Sequence, residues 1–291
     1  MKKTKRNHIP FIVLLVIHSI LLGISFYKGK KRKTLFVLLM SNIGFAYLLE
    51  YFVLNIFKAY KYKPKILKKN VFDNNFGAIL SQALFLPFTA VFLSVSKYGW
   101  KAKWIVGFYF YLVEKVFIWF GVYRHNWWKT IYTLILIPFY FKLSDLWYYY
   151  ICKKNPIVKF ISLFFMIMVS EANLLFILAV LRRVRLGKGR YHSWSEHFIV
   201  VPLYSISISV FATWSFRIKN SWDAKLRVLL FAFSLKELLE RLGIVKSKFR
   251  ESQFFILRIL MISLYGQFRD WVYGESEKEY EKDIRSTDKI L

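Results

Sequence analysis

Three glutamates stand inside otherwise apolar stretches: Glu50 in AYLLEYFVL, Glu114 in FYLVEKVFI and Glu171 in IMVSEANLL. A charged side chain at the bilayer centre costs about 2.5–3.5 kcal/mol on insertion scales, so each carboxylate needs a partner, water or a proton. Grouped in one cavity, the three would form a proton- or cation-binding site. Kept apart, each would pin neighbouring helices through Ser, Asn, Tyr or Lys, although interhelical polar bonds contribute only about 0.6 kcal/mol on average where measured. Lys142 and Asp145 lie three residues apart, on one helical face. They read as a self-neutralising ion pair, or else Lys142 neutralises Glu114 from the next helix. Lys115 follows Glu114 directly, points about 100° away on a helix, and does not serve that role.

A second cluster joins polar and aromatic side chains. YRHNWWK supplies Tyr123, Arg124, His125, Trp127 and Trp128, and YHSWSEH supplies His192. These could clamp a headgroup or another anion, with Arg124 as the fork. The alternative is an interfacial anchor, because Trp and Tyr gather at headgroup level. His192 and His197 are five apart and share a helical face poorly, so with Glu196 they make a poor metal site; no metal or cofactor is expected. His18 reads as a buried hydrogen-bonding residue. Pro87, Pro138 and Pro202 each remove a helix hydrogen bond, which kinks an ordinary bundle and exposes carbonyls at a transporter's substrate site.

The elements that carry these residues follow from distribution. Of 291 residues 56% are hydrophobic, and 76–96, 9–27 and 198–216 run 21, 19 and 19 positions without a charge. About 20 such residues cross a ~30 Å hydrocarbon core as a helix. The expected fold is an all-α polytopic bundle of about seven spans (six to eight), at 9–27, 34–57, 76–96, 104–123, 130–151, 160–181 and 198–216. Residues 1–216 form the bundle. Residues 217–271 form amphipathic helices, with charges at Lys236, Glu237, Glu240 and Arg241 and an interruption at Arg258. Residues 272–291 form a charged tail. The run 9–27 exits into KGKKRK and lacks a small-residue cleavage site, so it reads as a first span rather than a cleaved signal.

The net charge of +28 is spread as punctuation between spans. That pattern suits anionic lipid headgroups and argues against nucleic acid. With the N-terminus inside, cytoplasmic segments hold 17 Lys/Arg against 11 in the opposite loops up to residue 159. A cell-membrane, multi-pass protein with a cytoplasmic N-terminus follows. Cys152 stands alone and excludes an intramolecular disulfide. No Walker A loop, HExxH, GxSxG or GxGxxG is present, which argues against an ATP-driven pump and the familiar intramembrane metalloproteases.

A loose internal repeat is visible. Glu50, Glu114 and Glu171 are each followed by a basic aromatic loop (YKYKP, YRHNWW, RYHSW) and then by a span with a proline, a helix pair used three times. Residues about 48 to 133 also carry a resemblance, on Leu49-Glu50-Tyr51, Tyr60-Lys61-Tyr62-Lys63-Pro64, Gly77 to Gln82 with Leu86-Pro87, and Glu114 with Gly121 to Lys129. They resemble a group of uncharacterised multi-span membrane proteins of low-GC, spore-forming Gram-positive bacteria. The resemblance implies a bacterial plasma membrane and no particular activity.

Three functions remain open from sequence. The first is a small ion-coupled transporter or transporter accessory with buried glutamates, and not an enzyme. The second is a structural or sensory protein that binds a partner through its C-terminal helices; a protein partner or a homo-oligomer is compatible with the sequence. The third is a lipid-modifying enzyme, which needs Arg124, His125 and His192 to converge near a carboxylate.

Overall fold

The computed structural model describes residues 7–187 and 192–274. The charged tail from 275, the basic residues before Asn7 and part of the RYHSW loop lie outside the described residues. The chain is mostly helical, in the order α1 (Ile9–Lys28), α2 (Arg32–Ile56), β1 (Tyr60–Tyr62), α3 (Asn70–Val95), α4 (Trp100–Trp119), β2 (Tyr123–His125), α5 (Thr130–Cys152), α6 (Pro156–Val180), β3 (Val184–Leu186), α7 (Trp194–Phe216), α8 (Trp222–Arg241), β4 (Val245–Ser247) and α9 (Glu251–Tyr273).

Every segment drawn as a span from hydropathy is a helix. Five helices, α1, α2, α3, α6 and α7, are long and apolar enough to cross a membrane. The two others drawn as spans fall below that threshold. Helix α4 carries Lys101, Lys103, Glu114 and Lys115, and α5 is rich in tyrosine with Lys142 and Asp145. Yet α4 shows Ile105, Phe108, Leu112 and Val116 at helical spacing on its outer face. A continuous exposed apolar stripe is uncommon on a soluble monomer and suits lipid. Helix α1 does the same with Ile9, Val13, Val16 and Ile20, while Phe11, Leu14 and His18 point into the core.

The chain divides into two compact units, with the break between Lys153 and Lys154. The change in hydropathy after residue 216 is therefore no unit boundary; it marks the entry to α8 inside the second unit. In the first unit α4 packs along α5, α3 packs against α1, α2 and α5, and β1 pairs with β2. In the second, α7 packs on α6 and α8, α9 packs on α6 and α8, and β3 pairs with β4.

Within themselves the two units repeat one design. After α1, both run helix, strand, helix, helix, strand, helix, at an offset of about 121 to 124 residues. The backbone agrees in detail. Lys58 and Arg182 both take a left-handed φ (51° and 56°) between helix and strand, and Gly121 and Gly243 do the same at 69° and 66°. The Val122 N–H donates to Phe117 O and the Ile244 N–H to Leu239 O, each closing a helix C-terminus. Lys63 N–H reaches Val122 O as Gly187 N–H reaches Ile244 O, and Asn126 N–H reaches Ala59 O as Lys248 N–H reaches Arg183 O. The repeat is thus a four-helix unit used twice, not a helix pair used three times. YKYKP and YRHNWW are partners in one sheet, not copies of each other.

One local difference matters for the site. The first unit contains two π-helical turns, Tyr51–Ile56 at the end of α2 and Leu80–Phe85 within α3; these are the only π turns among the described residues. Each adds a residue to the helical register and is a feature often found where a helix lines a functional cavity. Pro87 stands two residues past the end of the second turn, whereas α5 and α7 continue through Pro138 and Pro202.

Candidate functional site

The first site lies beneath the β1–β2 pair. Strand side chains alternate between faces, and YKY against YRH exploits this. Tyr60, Tyr62 and Tyr123 point inward and are buried; Lys61 and Arg124, paired directly across the strands, are exposed. The three phenol rings form one cluster, with centroids 4.9–5.6 Å apart. Burial, first of all, pushes all three phenols above their ordinary value, so they stay neutral and keep their protons to donate. The loops are held from below: Asn126 Nδ2 donates to Lys58 O at 2.5 Å and Trp127 Nε1 to Phe57 O at 2.8 Å. Gly77 lets α3 approach β1, because a Cβ there would sit 2.5 Å from Tyr62 Cβ.

Under this aromatic cap is a cavity of about 140 Å³, walled by Tyr60, Tyr62, Tyr123, Phe110, Phe117 and Trp128 among others, with Glu114 as its charged lining residue. Glu114 Oε1 lies 2.6 Å from His125 Nε2, and its other oxygen accepts from the Thr133 hydroxyl. Trp128 Nε1 in turn donates to Thr133 Oγ1 at 3.0 Å. Glu50 stands one hydrogen bond behind the wall: Tyr60 OH donates to its Oε2 at 2.6 Å, and its Oε1 is buried without a partner.

The structure thus brings Glu50 and Glu114 to one aromatic cluster. It gives Glu171 different partners, inside the second unit. Arg258 Nη1 donates to Glu171 Oε1 at 2.6 Å, the Tyr265 hydroxyl bonds the same oxygen, and Arg258 Nη2 donates to Tyr204 OH at 3.2 Å. All four residues are buried. Nor are the first two glutamates at mid-helix. Glu114 is five residues from the end of α4 and Glu50 six from the end of α2. At 1.5 Å per residue both lie within about 10 Å of the strand-bearing end.

Other expectations change as well. Asp145 does not pair with Lys142. Lys103 Nζ meets its Oδ2 at 2.6 Å, Ser94 donates to its Oδ1 at 2.8 Å, and Ser144 and Asn42 extend the network. An i, i+3 pair on one helix lost to a lysine on the packed neighbour α4, which also satisfies Tyr98 O. Lys115 lies 5.7 Å from the Tyr111 ring, on its own helix. Arg124 turns out while His125 turns in to Glu114, as adjacent strand residues must, so the two do not share a cavity. His192 belongs to the second unit, where its Nε2 is 3.1 Å from Ile244 O. His197 Nδ1 accepts from the Leu186 N–H at 3.0 Å, and Glu196 closes a capping box with Ser193. These three hold the β3–β4 end in place. His18 is buried, its Nδ1 2.6 Å from Leu14 O and its ring stacked on Phe85.

Sequence reasoning passed over Lys103, Thr133, Tyr204 and Tyr265, and read Lys236 and Arg258 only as charges of amphipathic helices, without a partner for either. For Arg258 a signal existed: it is the lone charge in residues 252–268, the same signature that drew attention to Glu171. For the hydroxyl partners there was none. The fold and its sites define a helical bundle with membrane-spanning capacity and buried ion pairs. No family model, curated protein or solved structure matches the chain.

Proposed function

We propose that this chain is a polytopic protein of a bacterial cell membrane that binds a cation in the cavity of its first unit, as a small ion-coupled transporter or the accessory of one. The observation that carries this reading is the cavity itself: an aromatic chamber of about 140 Å³ beside Glu114, with Glu50 joined to its wall through Tyr60. A carboxylate in a membrane segment is costly and is by default a candidate for function. We read α4 and α5 as further spans, and α8 and α9 by their place in the repeat, which raises the count from seven to nine. The N-terminus lies in the cytoplasm by the distribution of Lys and Arg.

Anionic lipid headgroups are the expected surroundings. Lys61 faces Arg124 directly across the first strand pair. Like charges opposed in this way destabilise a sheet, and an anionic surface would compensate them. Lipid modification receives less support, because Arg124 and His125 diverge.

The test is flux. Purified protein reconstituted in phosphatidylglycerol-containing vesicles should carry protons or small cations faster than empty vesicles. Glu114→Gln and Glu50→Gln should each slow this by about tenfold or more, a loss of ~1.4 kcal/mol in transition-state stabilisation. Absence of flux for protons, alkali ions and ammonium ions alike would remove the transport reading.

A further inference from the structure

The cavity of the first unit has a counterpart in the second. Tyr60 and Tyr123 correspond by the repeat to Val184 and Val245, Glu114 to Lys236, and Ile137 to Arg258. All four counterparts line a second cavity of only about 30 Å³. What stands there is a cation of the chain's own. The Arg258 guanidinium lies 5.2 Å from the Phe254 ring and 5.8 Å from that of Tyr204, and pairs with Glu171. Lys236 Nζ lies 5.3 Å over Phe254 and pairs with Glu240 and Glu251. The second unit therefore neutralises its carboxylates internally and packs the cations on aromatic faces, the arrangement of a cation–π site.

The first unit has aromatic faces and carboxylates of its own at other positions of the repeat, since Phe254 corresponds to Thr133 and Glu171 to Tyr47, and it has no such cation at the positions of Arg258 and Lys236. Ile137 replaces the arginine and a glutamate replaces the lysine. The groups that bond Glu50 and Glu114 are hydroxyls and one imidazole. The space is open. At about 140 Å³ it approaches the ~150 Å³ cavity known to hold a benzene molecule.

We propose that this cavity takes a small methylated ammonium ion, in the place that the tethered Arg258 guanidinium fills in the second unit. This rests on the cation-binding reading above and names its substrate class. Both oxygens of Glu114 are already engaged, by His125 and Thr133, so the carboxylate offers no free hydrogen-bond acceptor. An ion with no N–H donors suits that. A bare metal ion does not, since it needs about six oxygen ligands and the walls are mainly aromatic and aliphatic.

The experiment uses the full chain in maltoside micelles, titrated with choline, with its uncharged isostere 3,3-dimethylbutanol and with sodium chloride at matched ionic strength, and read by calorimetry and by the fluorescence of the cavity tryptophan Trp128. Choline should bind saturably, and the alcohol about tenfold or more weaker. Ile137→Arg places a guanidinium where Arg258 has one; it should retain or raise the melting temperature and abolish choline binding. Equal binding of the alcohol, undiminished binding by a folded Ile137→Arg variant, or no choline binding by folded protein up to about 10 mM would overturn the proposal. Proton or alkali-ion flux without choline binding sinks this inference and leaves the transport reading standing; choline binding without flux does the reverse.

Discussion

At the scale of single residues, the charges inside this molecule are decided by their partners. Glu171 and Arg258 are both fully enclosed, 87 residues apart in the chain. Removing one member of a buried pair leaves an uncompensated charge and costs about 3–5 kcal/mol, whereas replacing both by well-packed apolar residues is often close to neutral. Glu171→Leu or Arg258→Met alone should therefore lower the melting temperature sharply, and the double variant should recover most of the loss. The measurement is thermal unfolding in micelles followed by near-ultraviolet circular dichroism. Additive losses in the double variant would mean that the pair is not coupled. The phenols give a second check. Tyr60, Tyr62 and Tyr123 are raised by burial, so the unfolded chain loses these protons first, at about pH 10. Their contribution to stability is present below that pH and is lost as pH rises toward the folded-state values. A spectrophotometric titration should show tyrosinate absorbance from these residues only after the exposed tyrosines have titrated.

At the scale of elements, backbone geometry sets the two strand-capped ends. Gly121 and Gly243 take left-handed φ values, a conformation that costs an L-residue roughly 1–2 kcal/mol. Alanine at either position should destabilise its own unit by about that amount in the same unfolding experiment. Gly107 is a different case. A Cβ there would lie 2.7 Å from Pro138 Cγ, so Gly107→Ala forces α4 and α5 apart. The expected cost is about 1–3 kcal/mol, and Pro138→Ala, which removes the obstructing ring, should reduce it. If the double variant loses the sum of the two single effects, close approach of the two helices is not the reason for the glycine. Hydropathy found these helices because apolar runs are local. It missed the strands, three residues each, because so short a segment has no period to detect. It missed the π turns for the same reason.

At the scale of the whole molecule, the twofold repeat carries a topological expectation. If α4 crosses the membrane, Lys61 and Gly99 lie on opposite sides; if α8 crosses, so do Lys246 and Asn220. Single cysteines at these four positions, in a Cys152→Ser background, should divide accordingly in labelling with a membrane-impermeant thiol reagent on intact vesicles. Labelling of both members of either pair from one side would return that unit's hairpin to the interface.

The amino-acid sequence by itself determined that this is a helical protein with membrane-spanning stretches, where those helices lie, and which charges inside them demand an explanation. These follow from length, apolarity and charge spacing, all properties of neighbouring residues. Tertiary structure alone decided who answers each charge: Lys103 for Asp145, Arg258 for Glu171, His125 and Thr133 for Glu114. It alone revealed the repeat, because the two halves keep their backbone turns at Lys58 and Arg182 and at Gly121 and Gly243 while exchanging the side chains between them. Ion pairing and cavity shape arise where helices distant in the chain meet, and no local pattern records which ones do.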